Sequence, residues 1–132
     1  MRHVIAALMI GVAAIHFLPL VGVLGGERLG QLYGVTIGDP NLEMLMRHRA
    51  VLFGVLGVLL VAGALHRPLR IAALLAGYAS VVSFLVLAWG VGERTAAVDR
   101  VVAADWIALA LLVVATLLNF TDRRRHGSRY LS

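Results

Sequence analysis

The sequence predicts an all-α fold, a polytopic membrane four-helix bundle with both termini in the cytoplasm. Three observations carry that expectation. First, 61% of the 132 residues are hydrophobic and 14% charged, with a mean hydropathy of +0.91. A soluble domain carries about 25% charged residues. Second, four apolar stretches fall at roughly residues 4–24, 50–65, 71–92 and 101–120, and a membrane span needs ~20 predominantly apolar residues. Third, the arginines are divided unevenly between the connections. Together these predict a single transmembrane domain over residues 1–132, with helices at about 4–24, 40–65, 69–91 and 98–120. An external loop at 25–39 and a cytoplasmic basic tail at 122–132 complete it.

The first helix opens on Met1, Arg2 and His3 and then runs apolar to Leu24. The run exceeds a usual signal-peptide core, and no small-x-small site closes it, so it reads as a retained span. His16 and Pro19 lie inside it. Proline has no N–H to give the carbonyl of Ile15, which predicts a kink beside the histidine. Residues 25–38 are glycine-rich and mildly amphipathic and read as an interfacial loop with a helical turn around Arg28–Tyr33. Tyr33 there suits an interfacial anchor.

Asp39 and Pro40 form a strong helix start, a carboxylate cap followed by proline in the first turn. Only Ala50 to Leu65 of the second helix is free of charge, about 24 Å at 1.5 Å per residue against a ~30 Å hydrocarbon core. Its charged first turns therefore reach into the bilayer boundary. His66, Arg67, Pro68 and Arg70 make a basic turn. The third helix carries Ala73, Ala76, Gly77, Ser80 and Ser83, small residues that permit close approach in lipid. The fourth holds Asp105 beside Trp106 and ends before Asp122 and Arg123.

Arg2, Arg67, Arg70, Arg123, Arg124, Arg125 and Arg129 share one side with a single acid, Asp122. Arg28, Arg47, Arg49, Arg94 and Arg100 share the other with six acids. Counting Lys and Arg places the first side in the cytoplasm, for a multi-pass protein of the bacterial inner membrane. With the basic residues at helix ends, the +5 formal charge points to the membrane and not to nucleic acid. The absence of cysteine excludes thiol–disulfide exchange, thiolate zinc sites and iron–sulfur ligation.

Depth brings polar residues of all four helices into one layer. His16, Arg47, Ser83 and Asp105 each lie about 10–13 Å from the outer helix ends. With Glu43 at zero on a 100° wheel, Arg47 falls at about 40°, His48 at 140° and Arg49 at 240°, while Ala50, Gly54 and Gly57 lie within about 40° of Glu43. That small-residue face predicts that Glu43 and Arg47 point inward as an i,i+4 pair, with His48 and Arg49 turned to a flanking helix or the headgroups. Ionisable groups inside a membrane usually face the bundle interior and pair, so Arg47 or Arg49 is expected to partner Asp105. His16, Glu43, Arg47, His48, Arg49, Ser83 and Asp105 are the candidate ligand-binding residues, and His16 and Asp105 the candidates for proton transfer. No metal site and no cofactor is expected. A bis-His haem held by His16 and His48, at similar depth, is the alternative.

The run Leu32, Tyr33, Gly34, then Asp39, Pro40, Asn41, then Met46, Arg47, His48, Arg49, Ala50, after a helix containing His16, Phe17, Leu18, Pro19 and Leu20, resembles uncharacterised small bacterial four-helix integral membrane proteins, DoxX-like in layout. The resemblance covers nearly the whole chain and implies a membrane bundle without an assigned chemistry. Some members carry the label phosphopantetheine adenylyltransferase. That activity requires a doubly wound soluble domain with a His-x-Gly-His phosphate site, and this sequence has neither. The layout is also similar to sterol-isomerase-like membrane proteins, which use intramembrane acids.

Two functional readings follow. One is a site near the outer leaflet that binds or acts on a lipophilic small molecule such as a quinone, isoprenoid or sterol-like compound, or a membrane lipid. The other is a structural or partner subunit with a purely structural ion-pair network, homo-oligomeric through its small-residue faces. Residue types alone leave open whether the site is an enzyme's. A proton-coupled transporter normally shows an internal repeat, and the two halves here share none.

Overall fold

The computed structural model describes the chain over residues 1–127, with side chains to residue 124. The tail from residue 128 onward, including Arg129, lies outside the described residues. The elements in order are α1 (Arg2–Phe17), a 3₁₀ segment (Leu18–Leu24), α2 (Gly26–Tyr33), α3 (Pro40–Leu65), a 3₁₀ turn (Arg67–Leu69), α4 (Arg70–Trp89) and α5 (Ala96–Gly127). Four helical runs are long and apolar enough to cross a membrane: Arg2–Leu24, Pro40–Leu65, Arg67–Trp89 and Ala96–Arg124. The chain is thus a multi-pass helical protein in design. Each run buries only 17–33% of its most apolar window inside the bundle, so most of its leucine and valine surface requires a nonaqueous surrounding.

The long helices pack as a closed ring in the order α1, α3, α4, α5, with α1 against both α3 and α5 and α4 against both as well. Local chemistry fixes the ends. Asp39 caps α3 by accepting from the backbone N–H of Asn41 at 2.7 Å and of Leu42 at 3.2 Å, and Pro40 occupies the first turn, where its missing N–H costs nothing. Thr95 starts α5, its hydroxyl oxygen accepting from Val98 N–H at 3.2 Å. The guanidinium of Arg70, buried, donates to the carbonyls of Gly63 and Ala64 at the end of α3, at 3.3 and 3.2 Å. A cation there satisfies carbonyls that the helix leaves orphaned.

The expected kink at Pro19 takes the form of a tighter helix. The carbonyl of Ile15 accepts from the backbone N–H of Leu18, and the chain continues as 3₁₀ to Leu24. An i+3 donor replaces the i+4 donor that proline removes. The loop expected at 25–39 contains a true helix, α2, bounded by Gly25 at φ 135° and Gly34 at φ 65°. Side chains rarely adopt those angles, so glycine is required at both.

The core is one apolar cluster drawn from all four long helices, including Ile5, Met9 and Val12 of α1, Leu60 of α3, Val81 of α4 and Leu112 of α5. Small residues set the approach distances. A Cβ on Gly57 would meet the Phe17 ring at 2.7 Å, and one on Gly63 would meet the Cβ of Ala73 at 2.5 Å.

Two ends follow from the contacts. Thr121 bonds Met1, and Arg67 pairs with Asp122 at 3.1 Å, gathering the start of α1, the α3–α4 turn and the end of α5. At the opposite end the Thr95 hydroxyl donates to the Tyr33 carbonyl at 2.6 Å, tying α2 to the α4–α5 turn. Helix α2, with Leu29 and Tyr33 buried beneath it, roofs that second end.

Candidate functional site

Beneath α2 lies a chamber of about 460 Å³, within the range that holds small molecules. His16 from α1, Arg49 and Phe53 from α3, Phe84 from α4, Arg100 and Asp105 from α5, and Tyr33 from α2 all line it. Gln31 of α2 adds one more polar group, and the remaining walls are apolar, from Ile15, Leu18, Pro19, Val21 and Leu32 on one side and Ala97, Val101 and Ala104 on the other. Arg49 and Asp105 each lie nine residues inside their helices, about 14 Å along the axis. The polar groups therefore meet at one level, below the α2 roof.

His16 is buried, and both ring nitrogens are engaged. Nδ1 donates to the carbonyl of Val12 at 2.9 Å, and Nε2 lies 3.3 Å from the hydroxyl of Ser80. Because a carbonyl can only accept, Nδ1 carries a proton, and Nε2 and the Ser80 hydroxyl form the second hydrogen bond. This bond crosses the diagonal of the helix ring, from α1 to α4. The Phe53 ring stands 5.8 Å from the imidazole.

Arg49 is held by aromatic faces. Its guanidinium carbon lies 4.9 Å from the centre of Phe53, 5.5 Å from Tyr33 and 5.9 Å from Phe84. One N–H donates to the Tyr33 hydroxyl at 3.4 Å. Rings offer a cation an attractive face without neutralising it, so most of the five N–H donors of Arg49 remain uncommitted.

Asp105 makes no hydrogen bond and no ion pair among the described residues. The ion pairs found there are Arg47–Glu43, Arg67–Asp122 and Arg94–Asp99. Arg49 lines the same chamber as Asp105 without reaching ion-pair distance. A carboxyl group and a guanidinium that line one cavity without pairing leave room for a ligand's polar group to meet both.

The structure thus brings together His16, Arg49 and Asp105 and leaves out Glu43, Arg47, His48 and Ser83. The expectation that Glu43 and Arg47 point inward is corrected. They do pair, at 3.6 Å, but on an exposed face, where Arg47 Nε also donates to the Val23 carbonyl at 2.9 Å. The physical reason is local. Ala50, Gly54 and Gly57 are small because the 3₁₀ segment and Phe17 cross α3 there, with Gly22 near Ala50, Leu20 on Gly54 and Phe17 on Gly57. They mark that crossing and not the bundle axis, which lies nearer Phe53 and Leu60. Arg49 is therefore on the inner side and Arg47 on the outer. His48 is exposed and lines no part of the chamber, so the two histidines proposed as axial ligands do not share it. Ser83 is exposed too, and its hydroxyl donates to the Ser80 carbonyl at 3.0 Å. Ser80, one turn away, is the serine that meets His16.

Sequence reasoning missed Tyr33, Phe53, Ser80, Phe84 and Arg100. One of the two phenylalanines had a signal: Phe53 follows Arg49 by four residues, on the same helix face. Tyr33 and Arg100 depend on where α2 folds back, which no periodicity records. A larger groove of about 580 Å³ lies outside the ring between α4 and α5, bordered by Trp89 and Trp106. Its one charged residue, Arg94, is already engaged by Asp99 at 2.8 Å and by the Ala88 carbonyl at 2.8 Å. No family model matches this chain, and neither a curated protein nor a solved structure does.

Proposed function

We propose that this protein is a multi-pass protein of the bacterial inner membrane whose chamber binds a lipophilic small molecule through one polar end. The α2 end faces outward, which sets the chamber in the outer half of the bilayer, and both termini face the cytoplasm. One observation carries the reading: Arg49, Asp105 and His16 converge from three helices on a mainly apolar cavity that Gln31, Tyr33 and Arg100 also line, and Asp105 has no protein partner there among the described residues. An ionisable group inside a membrane normally finds one. A head group that accepts from Arg49 and donates to Asp105, such as a hydroxyl or an enol of a quinol, isoprenoid alcohol or sterol-like molecule, completes the set. If the protein acts on its ligand, Asp105 is the group placed to take or return a proton. His16 is the group that holds the wall by bridging α1 to α4.

The test is direct. Protein purified in a mild detergent is extracted with organic solvent, and the extract is compared by mass spectrometry with that of Ala104→Trp, which fills the chamber from α5. A species enriched over bulk phospholipid in the native protein and depleted at least severalfold in the variant is expected. Equal extracts from the two proteins overturn the reading and leave the polar layer as a structural feature of a partner subunit.

A further inference from the structure

A second cavity, of about 240 Å³, lies at the same level between α3 and α4. Leu52 and Leu87 on its rim are 53% and 72% exposed, so it opens away from the bundle. Arg49, Phe53 and Phe84 line both this cavity and the chamber. They are a shared wall, one side chain thick. In the ring of helices the α3–α4 seam stands opposite the α1–α5 seam, where the exposed Leu18 and Arg100 frame the chamber's own opening. Entry from that seam leads past Arg100 to Arg49 and Asp105, and then to the two phenylalanines.

Neither phenylalanine is fully buried, because empty space lies on both sides. Core side chains usually pack against atoms on every side. Here two rings are kept standing between two voids, clamped by the Arg49 guanidinium at 4.9 and 5.9 Å. The same guanidinium is the donor offered to a ligand, so whatever binds Arg49 is stopped by the rings behind it.

We propose that Phe53 and Phe84 set the size of the head group that the chamber accepts, admitting a compact head whose tail leaves by the α1–α5 seam. This rests on the chamber being the binding site for a lipophilic molecule. Removing either ring joins the two cavities and deepens the pocket behind Arg49. Bulkier heads then fit, while the polar contacts to Arg49 and Asp105 stay in place.

Two probes with the same straight alkyl tail, one ending in a phenol and one in a naphthol, test this by binding to the purified protein in detergent. The native protein is expected to bind the naphthol about tenfold more weakly than the phenol, the discrimination an overfilled pocket supports. Phe84→Ala and Phe53→Ala bring the ratio close to one. Phe84→Leu, which trims less and preserves packing, gives an intermediate ratio and covers the case in which an alanine variant does not fold. A ratio unchanged in the variants, or already near one in the native protein, overturns the proposal while phenol binding still supports the chamber. Binding of neither probe to native protein, with equal extracts from Ala104→Trp, removes the chamber reading and this inference with it.

Discussion

Asp39 shows how one exposed side chain governs an element. Hydrogen bonds from the backbone N–H of Leu42 and then of Asn41 hold its carboxyl below the usual carboxylate range. A folded-state value below the unfolded one means stability that is present above the unfolded value and is lost as pH falls through the folded one. The loss therefore falls below about pH 4. Thermal unfolding in detergent should show Asp39→Ala lowering the melting temperature at neutral pH. Asp39→Asn, which keeps an accepting oxygen, should sit closer to the native protein and flatten the acid limb of the profile. Equal acid limbs in native and Asn proteins would show that other carboxylates govern it. The cap was legible in the sequence, because Asp followed by Pro admits few other readings. The choice between Arg47 and Arg49 was not. Two residues apart, they lie about 160° from each other on the wheel, and the wheel has no origin until the crossing of Phe17 and Leu20 over α3 supplies one.

At the scale of elements, the bundle closes on glycines placed where helices touch. A methyl group at Gly63 would come within 2.5 Å of the Ala73 Cβ, 3.0 Å of the Met9 Cε and 3.3 Å of the Arg70 Cα. The methionine end can move; the other two belong to the α4 backbone and its first side-chain carbon. Gly63→Ala should therefore destabilise the folded protein by roughly 1–3 kcal/mol, the cost of overpacking, and also weaken the Arg70 cap on α3. Gly92→Ala, with nothing within 4 Å, is the matched control and should lie near the native value in the same thermal assay. Equal shifts in the two variants would mean that the α3–α4 approach at Gly63 does not decide the outcome. The four long helices were readable from apolar length and turn residues, although α5 runs past the expected end near residue 120 to Gly127, into the basic run that read as a tail. The 3₁₀ run after Phe17 and the folding of α2 over the chamber were not, since both depend on tertiary contacts: Leu29 seated on Gly22, and the Tyr33 carbonyl held by Thr95.

At the scale of the molecule, the two ends differ in charge. Arg2, Arg67, Arg70, Arg123 and Arg124 lie at the end that Asp122 shares. Glu27, Asp39, Glu43, Glu93 and Asp99 mix with the arginines of the roofed end. Insertion follows the Lys/Arg count and gives acids little weight; in the sequence, with Arg125 and Arg129 included, the first side has seven arginines and the roofed side five, so the α2 end should face outward. The chain has no cysteine, so single-cysteine variants report without background. Gly38→Cys, in the connection before α3 with open space around it, should react with a membrane-impermeant maleimide in intact cells. His66→Cys, exposed in the α3–α4 turn, should react only after permeabilisation. The reverse pattern would place the chamber in the inner half of the bilayer, where the ligand pool differs. Labelling of both sites in intact cells would mean that the charge difference is too small to fix one orientation, and the protein would insert both ways.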